Sequence, residues 1–115
     1  SAVLANDPVI MLTAPGPAAK KCLGIAGLTA QDIDLWEINE AFAVVPMAAM
    51  AELAIPRERL NTRGGACALG HPIGASGARI LVTLLSAMEA RGAKRGMAGI
   101  CIGGGEATAI AIERD

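Results

Sequence analysis

His71 is the only histidine in the chain, and it sits in a stretch where almost every second or third residue is glycine or alanine: Gly64-Gly65-Ala66-Cys67-Ala68-Leu69-Gly70-His71-Pro72-Ile73-Gly74-Ala75-Ser76-Gly77. Imidazole takes and returns protons close to neutrality, which suits it to acid–base work. Thirty residues on, Cys101 ends an apolar run and opens the turn Cys101-Ile102-Gly103-Gly104-Gly105-Glu106. Glycines allow a backbone or a ligand to approach closely, so both residues are expected in tight, shaped turns. Pro72 restricts His71 to extended conformations, and Gly74 to Gly77 open a helix whose N-terminal N–H groups favour negative charge nearby. Acid–base chemistry on a small substrate is the reading. The plainer readings are that His71 caps a turn and that Cys101 is a small buried hydrophobe.

Several elements must hold these residues. Pro15 to Ala26 begins with prolines and is followed by Gly27, which predicts a helix with a glycine C-cap. In Asp32-Ile33-Asp34-Leu35-Trp36-Glu37-Ile38, Ile33 and Leu35 alternate with Asp32 and Asp34, which predicts a strand. Glu40 to about Leu53 is apolar on every side apart from Glu52, as in a helix buried all round, with Pro46 kinking it or lying near its start. Arg57 to Asn61 is expected as a short strand feeding the glycine-rich loop. After Gly74, Ile80, Leu81, Leu84, Leu85 and Met88 recur at helical spacing until Gly92. Gly96–Ile102 and Ala107–Glu113 read as two strands joined at Gly103-Gly104-Gly105. The order strand, helix, strand, helix, strand, helix, strand, strand predicts an α/β layered domain with a mixed sheet.

Read with Asn39-Glu40-Ala41-Phe42-Ala43, the histidine and cysteine segments resemble the three signature segments of the C-terminal half of thiolases, acyltransferases that make or cleave 3-ketoacyl-CoA. The resemblance runs from about Pro8 to Glu113, and the three segments stand in the family's order. It implies one thiolase C-terminal domain over residues 1–115, packed in the family against a similar half. On that resemblance, Cys101 is the general acid/base of the carbon–carbon step. His71 activates a nucleophilic cysteine and points at the thioester oxygen. Asn39 holds a water in the same oxyanion hole, and the Gly103 backbone N–H is one donor of a second hole. Phe42, with Ala41 beside it, lines the acyl pocket. The substrates implied are acyl-CoA and CoA, with no cofactor and no metal.

No segment resembles the loop of the nucleophilic cysteine, which the family carries in its N-terminal half. The chain is therefore expected to be half an enzyme, a fragment or one part of a split one, and inactive alone. Its expected partners are an N-terminal thiolase half and a second copy, in a homodimer or tetramer. Arg63 and Glu106 depart from the neutral amides usual in the family, which puts the substrate range in doubt. Cys22 and Cys67 match no role and are expected to pack.

Composition limits the alternatives. Apolar residues make up 53 % before 14 glycines are counted, a surplus expected if a partner covers part of the surface. Ten basic against eleven acidic residues and two aromatics, Trp36 and Phe42, offer nothing to nucleic acid. Three cysteines without metal spacing suit a reducing, cytoplasmic setting. The longest apolar stretch, Ala41 to Ala51, is far short of the roughly 20 residues that span a bilayer. A nucleotide-binding module is disfavoured because Gly70, Gly74 and Gly77 have neither dinucleotide-fold nor P-loop spacing. A non-catalytic assembly domain with a thiolase-like fold is the second alternative.

Overall fold

Parallel strands that end side by side create a crevice at their carboxyl ends, and this chain builds one such pair. The computed structural model describes residues 1–115. Ala2–Ala5 forms β1, Pro15–Ala26 α1, Leu35–Ile38 β2, Val44–Leu53 α2 and Ala66–Leu69 the single-turn α3. Ser76–Arg91 forms α4, and Arg95–Ile102 and Glu106–Glu113 form β3 and β4. The sheet order is β1-β4-β3-β2, antiparallel except for the parallel pair β2 and β3. Helices cover both faces, so the mixed α/β layering predicted from the sequence is what the chain adopts.

The alternation of strand side chains divides the core between those faces. Trp36 and Ile38 of β2 and Met97 of β3 pack with Ala18, Ala19 and Leu23 of α1 and Val45 and Ala49 of α2. Leu35 and Ala98 pack on the other face against Ile80, Leu84 and Met88 of α4. Both long helices end where the glycine signal places the end. Gly27 and Gly92 take left-handed φ values of 68° and 62°, and the next N–H in each case reaches back to Leu23 or Met88. That is the Schellman closure of a helix C-terminus.

The structure corrects several expectations. The strand predicted over Asp32–Ile38 begins only at Leu35, because Thr29 and Asp32 cap one another across a 3₁₀ turn at Ala30–Asp32. All four of its residues are buried, so it is covered on both faces. Arg57–Asn61 is not a strand: Arg57–Arg59 is a 3₁₀ turn, and Leu60 makes only an isolated bridge to Trp36. The Arg57 guanidinium bonds the Leu60 carbonyl at 2.9 Å, which favours the turn over extended chain. The eight-element order therefore lacks its third strand.

The helix expected from Glu40 starts at Val44, which puts Pro46 in the first turn, where its missing N–H costs no helical bond. Nor is that helix buried all round, since Val44 and Met47 are half exposed. Exposed apolar residues recur around the molecule, including Val9, Ile73, Val82 and Leu85. No helix is long and apolar enough to cross a membrane. Cys22 packs in the core as expected, whereas Cys67 is exposed.

Candidate active site

The backbone beyond β2 keeps pairing for one residue: the Asn39 N–H donates to the Gly99 carbonyl at 2.9 Å. This buries Asn39 completely at the carboxyl end of the parallel pair. Its Nδ2 lies 3.4 Å from Nε2 and 3.5 Å from Nδ1 of His71, at the outer limit of hydrogen bonding, while its Oδ1 is buried without a partner. Asn39 therefore stands behind the imidazole with an unused acceptor.

His71 is anchored from the other side by Ser76, with Nδ1 and Oγ 2.6 Å apart. The Ser76 hydroxyl donates to the Pro72 carbonyl at 3.1 Å. With its single proton so committed, Oγ accepts from Nδ1–H, and the lone pair is left on Nε2. Pro72 also accepts from the N–H groups of Ala75 and Ser76, so one carbonyl closes the turn and starts α4. Ser76→Ala is expected to cost about 0.5–1.5 kcal/mol of imidazole orientation, up to about tenfold in any rate that uses Nε2. Steady-state rates measured beside a melting curve check this, because a purely structural loss would move the melting temperature alone.

The glycine-rich loop is pinned by a residue the sequence reading passed over. Glu40 accepts from Asn61 Nδ2 and from the Cys67 N–H, each at 2.9 Å. Asn61, left-handed at φ 46°, also pairs its side-chain amide with both backbone groups of Ile38. A β-carbon on Gly65 would fall 2.5 Å from the Glu40 carboxyl carbon, so the loop comes this close only as glycine. Burial pushes the Glu40 carboxyl up, but the hydrogen bonds and the nearby Arg79 charge outweigh it and hold the group below its ordinary range.

Glu37 is the opposite case. Its side chain is 2 % exposed and 3.8 Å from Arg79 Nη1. Burial raises its pKa to about 7, with the Arg79 charge opposing and the Glu40 charge adding to the shift. Between its ordinary 4.5 and about 7, the folded chain holds a proton that the unfolded chain has lost. Stability is therefore expected to fall as pH rises through that interval and to level off above it. Denaturation midpoints across pH should show this slope, and Glu37→Gln should flatten it. A buried carboxylate on the same strand face as Leu35 was the signal available in the sequence.

Cys101, near the end of β3, is half-buried, and burial pushes its thiol above the ordinary cysteine value. Beyond it, β3 and β4 turn through Gly103-Gly104-Gly105. Gly105 has φ 104° and would meet the Asn6 carbonyl with any β-carbon, while Asn6 N–H bonds the Gly105 carbonyl at 2.7 Å. So β1 and its following residue hold the turn in place. The result is a cleft of about 560 Å³ that His71, Cys101, Ala41, Phe42 and Gly103 all line, with Gly74 and Gly77 of the α4 entry beside them. Phe42 is largely exposed to this cleft and is not part of the core. Asn39 does not line it. A larger groove, about 710 Å³, lies at the other end of the sheet among Asp32, Asp34, Glu58, Arg59, Arg91 and Lys94. Backbone contacts and the Arg95–Glu113 ion pair occupy much of its charge, and it lacks both His71 and Cys101.

A histidine with its lone pair on Nε2 and a thiol held above its ordinary value, on one apolar cleft, is a pair for moving protons at carbon and sulfur. A family model described as thiolase, C-terminal domain, matches residues 1–114. The chain belongs to the thiolase C-terminal domain family. It is 55 % identical over 108 residues to an acetyl-CoA acetyltransferase of Allochromatium vinosum, covering 94 % of this chain and 27 % of that protein. The acetyl-CoA acetyltransferase of Bacillus anthracis superposes with a TM-score of 0.94 at 45 % identity, over 97 % of this chain and 28 % of that one. A thiolase from Ascaris suum, solved in complex with coenzyme A, gives 0.92 at 49 % identity, over 99 % and 29 %. This thiolase domain thus spans little more than a quarter of the length of the relatives it matches.

Proposed function

We propose that this domain is the C-terminal part of an acyl-CoA acyltransferase that cleaves 3-ketoacyl-CoA with CoA, or runs the reverse Claisen condensation of acyl-CoA thioesters. The single observation that carries the reading is that His71 and Cys101, thirty residues apart, line one apolar cleft. In this reading a cysteine thiol from the rest of the enzyme gives its proton to Nε2 of His71. The resulting thiolate attacks the ketone carbon of the 3-ketoacyl-CoA. As the carbon–carbon bond breaks, the electron pair leaves on the α-carbon of acetyl-CoA, and the Cys101 thiol protonates it. The CoA thiol then gives its proton to the Cys101 thiolate and takes the acyl group, and the enzyme sulfur leaves as a thiolate that recovers its proton from His71. Condensation reverses these steps, with Cys101 as thiolate removing the α-proton.

Burial holds the Cys101 thiol above its ordinary value, which favours the form that donates a proton to the departing carbanion. Asn39, with its free buried acceptor, is read as holding a water against the first oxyanion, and the Gly103 N–H as a donor to the second. Phe42 and Ala41 are read as acyl-contacting walls. The reading assigns no cofactor and no metal, because thioester chemistry needs only thiols, a base and oxyanion donors. The N-terminal part of the enzyme would cover exposed apolar residues such as Ile73 and Met47, and assembly as a homodimer or tetramer would cover more. Three free thiols support a reducing, cytoplasmic setting, and fatty acid metabolism is the corresponding process.

The test compares the chain alone with the chain joined to the N-terminal part of an acetyl-CoA acetyltransferase. Alone it should show no thiolysis of acetoacetyl-CoA, because no acyl-enzyme can form without the nucleophile. Joined, it should turn over. A folded, dimer-sized fusion without activity would overturn the reading in favour of an assembly domain.

A further inference from the structure

β2 and the first turns of α4 meet across two polar rungs. Strand residues two apart share a face, so Glu37 and Asn39 are both directed toward α4. Helix residues three apart also share a face, which brings Ser76 and Arg79 together opposite them. One rung is Glu37 with Arg79 at 3.8 Å. The other is Asn39 with His71, itself held by Ser76. Three buried atoms along the rungs lack hydrogen-bond partners in the chain: Glu37 Oε2, Asn39 Oδ1 and Arg79 Nη1.

Stability does not explain the charged rung. The surrounding layer is apolar, with Leu35, Ile80, Leu84 and Ala98, and Ala98 is the β3 register partner of Glu37. A buried ion pair at this separation gains less than well-packed apolar residues of similar volume would. Glu40, on the segment after β2, is the other charge near the pair. What the rung does accomplish is to tie the start of α4, and with it the His71–Ser76 turn, to the strand that carries Asn39.

We propose that Glu37 and Arg79 are positioning residues for Asn39 and His71, tying α4 to β2 so that the imidazole keeps one tautomer against the Asn39 amide. They touch neither substrate nor reacting atoms. The inference rests on reading His71 as the proton-handling group, but its test observes the imidazole directly. A failed acyltransferase assay would therefore leave it standing.

Because His71 is the only histidine, nitrogen NMR of the full chain reports this ring alone. The parent chain is expected to show one neutral tautomer, with the proton on Nδ1. Measured above pH 7, where Glu37 is ionised, Glu37→Gln should keep the helix content and amide dispersion but lose the single tautomer, because a neutral amide no longer holds the Arg79 guanidinium. Arg79→Lys, which keeps the charge, should retain the tautomer. A brace with a purely structural role would change melting temperature without changing the tautomer. Folded Glu37→Gln chain with parent-like His71 signals would overturn the proposal. Should that variant fail to fold, the charge-free double variant Glu37→Gln/Arg79→Met decides: mixed tautomers support the proposal, and a single parent-like tautomer overturns it.

Discussion

His71→Ala, in the complete acyltransferase we propose, should abolish the burst of free CoA that follows addition of acetyl-CoA. The burst requires the enzyme thiolate, and the thiolate requires a base with a lone pair aimed at the cleft. Ser76 fixes Nδ1 as the protonated nitrogen, so Nε2 supplies that lone pair. No other imidazole exists in the chain to substitute for it. A positioned general base contributes roughly 10²–10⁴-fold, and the loss should fall on acyl-enzyme formation itself. Rapid-quench measurement of CoA release checks this. A normal burst from the variant would remove His71 from the first half-reaction.

Cys101→Ala should have a different signature. Transfer of an acyl group between sulfurs needs a thiolate and an oxyanion hole, both of which the variant would keep. The carbon–carbon step also needs a proton donor or base beside an unactivated carbon, and Cys101 is the thiol on the cleft. The variant should therefore form the acyl-enzyme with its burst intact. It should lose exchange of the acetyl-CoA α-protons with deuterated solvent, and its condensation should slow by roughly 10²–10⁴-fold. In the parent, burial of the thiol should place the rise of condensation with pH above the ordinary cysteine range, since the thiolate is the base in that direction. Normal condensation by Cys101→Ala would make Cys101 a packing residue.

The sequence by itself determined the elements whose signals are local. The proline start and glycine end of α1, the apolar stripe and glycine stop of α4, and the glycine hairpin between β3 and β4 lie where spacing puts them. Each depends on backbone conformations that only a few residue types adopt, so the information is carried within the segment. The same holds for the chemical character of His71, Cys101 and Asn39, framed by residues that shape tight turns.

Tertiary structure decided the rest. Arg57–Asn61 looked strand-like, yet Arg57 folds back on Leu60, and only Leu60 bridges the open edge of β2, at Trp36. α2 looked buried on every side because apolar character in a sequence does not specify which neighbour covers it. Here α1 and the sheet cover one side, and Val44 and Met47 remain open. The pairing of Glu37 with Arg79, and of Glu40 with Asn61 and the Cys67 backbone, joins residues 21 to 42 positions apart. Such contacts arise only when β2, the glycine-rich loop and α4 are packed together, because a charge can be buried only where a distant partner meets it. The convergence of His71 and Cys101 on one cleft was decided in the same way, by the parallel pairing of β2 with β3.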